Sequence, residues 1–267
     1  MRDPINKFSL LIVGAGRLGH RVGSQFQGAV TAETLTSKSH GLLRSLGMIP
    51  RLRSSEGAFD HILFAIPPSN SSLNYHAEIA RALLLWNQKG SFVFISSTAV
   101  YAEEMGGLVT ENSALGISAR AMNLIEGERL VLAKKGTVLR LAGLYDETSG
   151  PHTYYAGLLT SELRGDGIIN LIHYQDAATL SLKLFEKNYP EGIFIGCDNS
   201  PISRNSLVAL GDKSLYPSSC QFLGSEGALG KKVNNSHTRQ TLQWSPVFQS
   251  FSDFRKKTGG CFVKETS

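Results

Sequence analysis

Runs of four to six apolar residues recur along the chain, and stretches with helical spacing separate them. The first, residues 10–13, is apolar throughout, the pattern of a strand buried on both faces. A helix is predicted over 20–27. Residues 29–35, rich in Val and Thr, predict a second strand. A short helix over 40–46 and an irregular edge strand over 50–53 follow. The strand predicted over 59–66 ends at Pro67 and Pro68, which cannot continue a ladder. Ile79, Ala82, Leu83 and Trp86 share one face of a helix over 75–86. A fifth strand falls at 91–96, a long helix with Met122, Ile125, Leu130 and Val131 lies within 114–132, and a sixth strand at 137–141.

Gly150 and Pro151 then break the chain, and the pattern loosens. Helical spacing predicts a helix over 158–163, followed by a short strand over 168–173. A helix over 176–185 opens with an acid, Asp176, where the helix dipole favours one. A buried strand over 193–196 and a short helix over 204–210, with Ser203 and Arg204 at its start, complete the readable part. From about residue 213 Ser, Gly and Asn dominate, until an apolar period resumes at 248–254. Strands alternating with helices define an α/β chain with a doubly wound parallel sheet. The expected division is a Rossmann domain over 1–145 and a smaller substrate lobe over 146–267.

Residues 14–19, Gly-Ala-Gly-Arg-Leu-Gly, add chemistry to that sheet. The Gly-x-Gly-x-x-Gly spacing directly after a buried strand is a dinucleotide-binding pattern. Gly14 allows the tight turn, Gly16 lets a pyrophosphate approach the backbone, and Gly19 lets the helix pack closely on the sheet. Arg17 and Leu18 lie at the helix start, where amides and dipole favour an anion. The adenosine ribose is met about 20 residues further on, where an acid pairs with the 2′-hydroxyl of NAD. Here stand Thr36, Ser37 and Lys38, a set that suits a 2′-phosphate, so NADP is expected, with NAD as the alternative. Glu33 is the residue that would reverse the preference. Ala65, Ile66 and Pro67, at the end of the 59–66 strand, are expected beside the cofactor.

Composition narrows the classes. The 267 residues are 42% hydrophobic and only 18% charged, which suits a folded α/β chain. The net charge of +5 is scattered, so anionic small ligands are expected and nucleic acid is not. Cys197, Cys220 and Cys261 show no metal-ligand spacing, and no metal is expected. Sparse, odd cysteines fit reduced thiols in a reducing compartment. No run of about 18 apolar residues occurs, so no membrane span is expected. A soluble, cytoplasmic protein is the expectation, or one of the plastid stroma if a transit peptide has been removed.

Further blocks carry a resemblance. Phe-Ile-Ser-Ser-Thr-Ala-Val-Tyr at 94–101, Leu-Arg-Leu-Ala-Gly-Leu-Tyr at 139–145 and Asn-Leu-Ile-His-Tyr-Gln-Asp at 170–176 follow the glycines in order. Gly-Cys-Asp-Asn-Ser-Pro-Ile-Ser-Arg at 196–204, the block 230–239 and Trp-Ser-Pro at 244–246 come after them. Over residues 8–254 the chain resembles the atypical extended short-chain dehydrogenase/reductases of the NAD-dependent epimerase/dehydratase branch. The resemblance implies a seven-stranded Rossmann sheet with a small C-terminal lobe, and places 168–173 and 193–196 near or in the main body. It implies a small-molecule substrate, and a homodimer through the helices carrying 79–86 and 122–131.

Two departures stand out. Extended members carry Gly-x-x-Gly-x-x-Gly, whose first glycine falls on Val13 here. The family's Tyr-x-x-x-Lys is missing: Arg120 and Leu124 take its places, and no tyrosine occurs from 102 to 144. That tyrosine is a general acid/base, and the lysine lowers its pKa. Arginine stays protonated and is a poor base. Ser97 aligns with the catalytic serine, and Tyr101 and His173 are the candidates for moving the proton. Arg120 and Tyr145 are expected near the substrate. Each also has a structural reading: a strand-end hydroxyl for Ser97, backbone hydrogen bonding for His173. Arg140, in a buried strand, needs a partner, and Asp176 is the expected one. His152, Tyr154 and Tyr155 form either a lid or packing. Two functions stand together: an NADP-dependent oxidoreductase or epimerase-like enzyme on a small polar or sugar-like substrate, and a non-catalytic dinucleotide-binding sensor or assembly protein.

Overall fold

The computed structural model describes residues 8–68, 73–189, 191–211 and 220–258. Cys261 lies outside them, as do residues 212–219, where the Ser-, Gly- and Asn-rich stretch begins. In chain order the elements are β1 (Ser9–Val13), α1 (Arg17–Gln25), β2 (Ala29–Thr34), α2 (His40–Ser45), β3 (Ile49–Leu52), β4 (His61–Phe64), α3 (Tyr75–Leu84), β5 (Phe92–Ser97), β6 (Met105–Val109), α4 (Ala119–Leu132), β7 (Thr137–Leu141) and β8 (Gly143–Tyr145). Then come α5 (Pro151–Ala156), β9 (Thr160–Arg164), β10 (Ile168–Ile169), β11 (Leu171–His173), α6 (Tyr174–Lys187), β12 (Gly192–Gly196), β13 (Ile202–Ser203), α7 (Arg204–Ala209), β14 (Gln221–Gly224), β15 (Gly230–Val233), α8 (Ser236–Leu242) and α9 (Phe251–Lys257).

The main sheet has seven strands in the order β12-β7-β5-β4-β1-β2-β3. β1 pairs in parallel with both β2 and β4, β2 with β3, and β4 with β5. Leu10, Leu11, Ile12, Ile62, Leu63, Phe64, Phe92, Val93 and Phe94 are fully buried, which is why these strands read as continuous apolar runs. The chain moves outward from β1 to β3, then returns to the other side of β1 with β4. The crevice at the carboxyl ends of β1 and β4 is therefore a topological switch point, where open α/β sheets bind ligands. This is the doubly wound Rossmann-type α/β fold.

The chain divides into two compact units that interleave in sequence instead of meeting at residue 145. One holds the residues up to Val100 with Ser118–Arg140 and Ala178–Phe194; the other holds Tyr101–Ile117, Leu141–Ala177 and the residues from Ile195 on. Of the two returning segments, 193–196 joins the main sheet within β12. Residues 168–173 form β10 and β11, which pair instead with β13 and β8 in the second unit. The helix expected over 158–163 is absent: Thr160–Arg164 is a strand, paired in parallel with β14. Its partner lies some sixty positions away, and such pairing overrides a short helical period.

In the first unit α4 is capped by Ser118, whose Oγ accepts from the Ala121 amide at 3.2 Å. It buries Leu124, Ile125 and Val131. In the second unit a core gathers around Tyr145, with Tyr155, Leu171, Leu207, Phe251 and Phe254. Among the described residues no helix is long and apolar enough to cross a membrane.

Candidate functional site

The glycine turn follows β1 directly. Gly14 has φ +89°, a conformation that favours glycine. A Cβ there would also lie 2.9 Å from both the Ile66 backbone nitrogen and side chain. The Gly14 and Ala15 amides both donate to the Glu33 carbonyl at 3.3 Å, tying the turn to β2. Gly19 packs: its Cβ would sit 2.9 Å from Ile12 Cγ2. Gly16 is different. Nothing lies within 4 Å of the Cβ it lacks, so the protein itself does not require glycine there. The bare position faces open space, as a closely approaching ligand needs. Leu18 and Gly19 head α1 ahead of its first i→i−4 bond, made by His20 to the Gly16 carbonyl at 2.9 Å.

A cavity of about 320 Å³ opens over this turn. Val13, Gly14 and Gly16 line one side, Glu33 to Thr36 another, and Ala65, Ile66 and Pro67 a third. Of the expected cofactor residues, Gly14, Gly16, Thr36, Ala65, Ile66 and Pro67 line it. Arg17, Leu18 and Gly19 follow in α1. Ser37 and Lys38 lie on a one-turn helix, Ser37–Ser39, with no buried residue, and do not line the cavity. Ser39, Arg53 and Glu78 do, and none of the three was legible as a site residue from the sequence.

Glu33 lines the cavity, yet its carboxylate is committed elsewhere. It is 3% exposed, accepts from Arg51 Nε at 3.0 Å and the Ser54 amide at 3.3 Å, and is ion-paired with Arg81. Glu78 accepts from Arg53 Nε at 2.6 Å and Arg81 Nε at 3.0 Å. Burial alone would raise the Glu78 carboxyl, but the two guanidiniums hold it below the usual carboxylate range. Glu78 in turn holds Arg53 more firmly protonated. The residues fit a dinucleotide: a bare glycine, a helix N-terminus and an arginine, Arg53, in the lining.

Of the expected proton-transfer residues, Ser97 belongs to the first unit, and Tyr101 and His173 to the second. Ser97 ends β5, half-buried, its Oγ accepting from the Ala99 amide at 3.2 Å. Tyr101 is 2% exposed, and its carbonyl accepts from Lys231 Nζ at 2.7 Å. His173 is buried. Its Nδ1 accepts from the Gln175 amide at 3.1 Å, at the start of α6, and its ring lies 4.3 Å from that of Phe248. Arg120 is exposed on the first turn of α4. Leu124, in the place of the family's lysine, is a core residue. Tyr145 is fully buried, its ring edge-on to His173, Phe251 and Phe254 at 5.2 Å each. Burial and the nearby Asp198 and Asp176 push its phenol above the ordinary range. Arg140 pairs with Glu128 at 2.6 Å, an acid the sequence reading did not single out. Asp176 accepts the Val247 and Phe248 amides at 2.7 and 3.1 Å. His152 and Tyr155 are packed inside while Tyr154 is exposed, and Ser203 caps α7 through the Ser206 amide at 3.1 Å. Among the described residues no three His, Cys, Asp or Glu side chains stand together to hold a metal.

No protein-family model matches the chain, and no curated protein matches it. Solved structures do, and they define the fold. A conserved protein of unknown function from Silicibacter pomeroyi superposes with TM-score 0.79 at 18% identity, covering 96% of this chain and 100% of its own. The dTDP-glucose 4,6-dehydratase of Bacillus anthracis, in complex with NAD, gives 0.76 at 13% identity, covering 94% and 95%. The ADP-L-glycero-D-manno-heptose-6-epimerase of Helicobacter pylori gives 0.76 at 13%, covering 96% of each chain.

Proposed function

We propose that this protein binds NADP over the Gly14–Gly19 turn and works as an oxidoreductase or epimerase-like enzyme on a small polar or sugar-like substrate. Gly16 carries the binding half of this reading. It is bare towards the cavity, although neither its neighbours nor its backbone angles need a glycine. The NADP preference rests on Glu33, whose buried carboxylate is already engaged by Arg51, Arg81 and the Ser54 amide, a commitment that competes with binding ribose hydroxyls. The likeness to NAD-dependent epimerases and dehydratases supports the class of reaction. The bound nicotinamide would supply or accept hydride. On the protein side, the Ser97 hydroxyl is the group proposed to hold a substrate oxygen, and Arg120 an anionic part of the substrate.

Calorimetric titration with NADPH, NADH, NADP and NAD tests this. Micromolar binding of the phosphorylated pair, tighter than the other two, is expected, followed by turnover in a carbonyl-substrate screen that Ser97→Ala lowers about 10²-fold. Binding of none of the four overturns the reading.

A second reading, a non-catalytic dinucleotide sensor or assembly protein, is favoured by the buried state of Leu124, Tyr101 and His173. Tight cofactor binding with no turnover across the screen, and no effect of Ser97→Ala, would establish it. The homodimer implied by the resemblance is likewise a proposal, checked by sedimentation.

A further inference from the structure

Five charged side chains form one cluster beside the cavity, and three of them, Glu33, Arg53 and Glu78, line it. Two are buried acids, Glu33 from β2 and Glu78 from α3. Three are arginines: Arg51 on β3, Arg53 just beyond it, and Arg81 on α3. The register sets Arg51 opposite Glu33 in the parallel β2–β3 pair. Arg53, two residues on, falls on the same face, and its amide donates to the Thr34 carbonyl at 3.1 Å.

The three arginines are not equivalent. Arg51 is pinned: Nε on Glu33, Nη1 on the Glu56 carbonyl at 2.8 Å, and its guanidinium 5.1 Å from the centre of the Phe59 ring. Arg81 bridges Glu33 and Glu78 and is 8% exposed. Arg53 is 47% exposed, makes its ion pair with Glu78 Oε1 at 2.5 Å, and lines the cavity beside Thr36 and Ser39. Three guanidiniums against two carboxylates leave one positive charge in excess. Arg53 is where that charge reaches the cavity.

We propose that Arg53 is the residue that selects the cofactor, taking the 2′-phosphate of NADP with the Thr36 and Ser39 hydroxyls beside it. Glu78 orients the guanidinium beforehand. Its other oxygen stays on Arg81, so a shift of Arg53 towards a phosphate leaves no buried carboxylate without a cation. A guanidinium suits the task, because its fork matches phosphate oxygens. Lys38, the cation that the sequence pattern singles out, stands off the cavity lining. The inference rests on the NADP reading above.

The test is calorimetric titration of wild type, Arg53→Ala, Arg53→Gln and Lys38→Ala with NADP, NAD, 2′,5′-ADP and 5′-ADP, with thermal melts to verify folding. Both Arg53 variants should weaken NADP and 2′,5′-ADP by at least about tenfold, the worth of a hydrogen bond to a charged group. They should leave NAD and 5′-ADP within about threefold, and Lys38→Ala should cost less than either. Wild type that prefers NADP while the Arg53 variants lose nothing, lose NADP and NAD equally, or lose less than Lys38→Ala overturns the assignment of Arg53 alone. Wild type that prefers NAD or binds neither overturns the NADP reading, and this inference with it.

Discussion

The glycines of the turn separate two roles that one spacing conceals. Gly19→Ala must displace Ile12 Cγ2, 2.9 Å away, so it loosens the packing of α1 on the sheet. Gly16→Ala meets no protein atom and should cost less than about 1 kcal/mol as a weaker helix cap. It should still weaken dinucleotide binding by tenfold or more, on the order of one lost charge-assisted contact. Melting and titration of the two variants side by side check this: equal effects on stability and binding in both would overturn it. Deeper in the same unit, Glu128 accepts from Arg140 Nε at 3.0 Å and from Ser96 Oγ at 2.5 Å. Arg140→Met leaves that carboxylate buried without its cation and should cost about 3–5 kcal/mol in urea denaturation. The need for a partner at Arg140 was legible from its buried strand. Which acid met it was not, because Glu128 reads as an ordinary helix residue until α4 is laid on the sheet.

Among the elements, those with long uniform periods were legible. β1, β2, β4, β5 and β7 fall within a residue or three of their apolar runs, α3 is similarly close, and α4 starts five residues inside its expected span. Several short strands whose partners are remote were not. β9 looks helical in isolation, and β6 and β15 carry too few apolar residues to be seen before they pair with one another. The final helix was visible only as a period at 248–254. It starts at Phe251, capped by Ser250, whose Oγ accepts from the Asp253 amide at 3.0 Å. Its Phe254 ring packs against Tyr145, His173 and Phe248. Phe254→Ala should therefore cost about 3–5 kcal/mol by leaving a cavity among these rings. Denaturation followed by tyrosine fluorescence measures it, and a cost below about 1 kcal/mol would show that α9 is not part of the core.

For the whole molecule the informative variable is pH, because two buried groups of the second unit pull in opposite directions. Burial pushes the Asp198 carboxyl up to about 7, against the Ser200 amide and Arg239 that favour its charged form, and with Asp176 adding to the rise. Its stabilising contribution is full at low pH and is lost as pH climbs from the ordinary carboxylate value to about 7. Burial, with Arg255, lowers His152 to about 4, against Asp146. Its contribution runs the other way: stability is gained as pH rises from about 4 to the ordinary imidazole value. The two oppose each other, so their contributions largely cancel across this range. Asp198→Asn should leave a stability that rises with pH, and His152→Gln one that falls. Denaturation curves at several pH values read the slopes directly, and unchanged slopes in both variants would refute the account.

The sequence by itself determined the sheet and the glycine turn. Both depend on local quantities, the period of apolar residues and the spacing of residues without a Cβ, and these survive in one dimension. Tertiary structure decided which charges are left to act. Glu33 and Arg53 sit twenty positions apart with nothing local to rank them. Only the parallel register of β2 and β3, and the approach of α3 with Arg81 and Glu78, consumed the acid and left Arg53 at the cavity. The same holds for Tyr145 and His173, polar side chains placed in order with the family's blocks, whose burial among Phe248, Phe251 and Phe254 depends on a helix more than seventy residues further along the chain. Burial and partner choice are properties of non-local contacts, and a linear pattern carries no term for them.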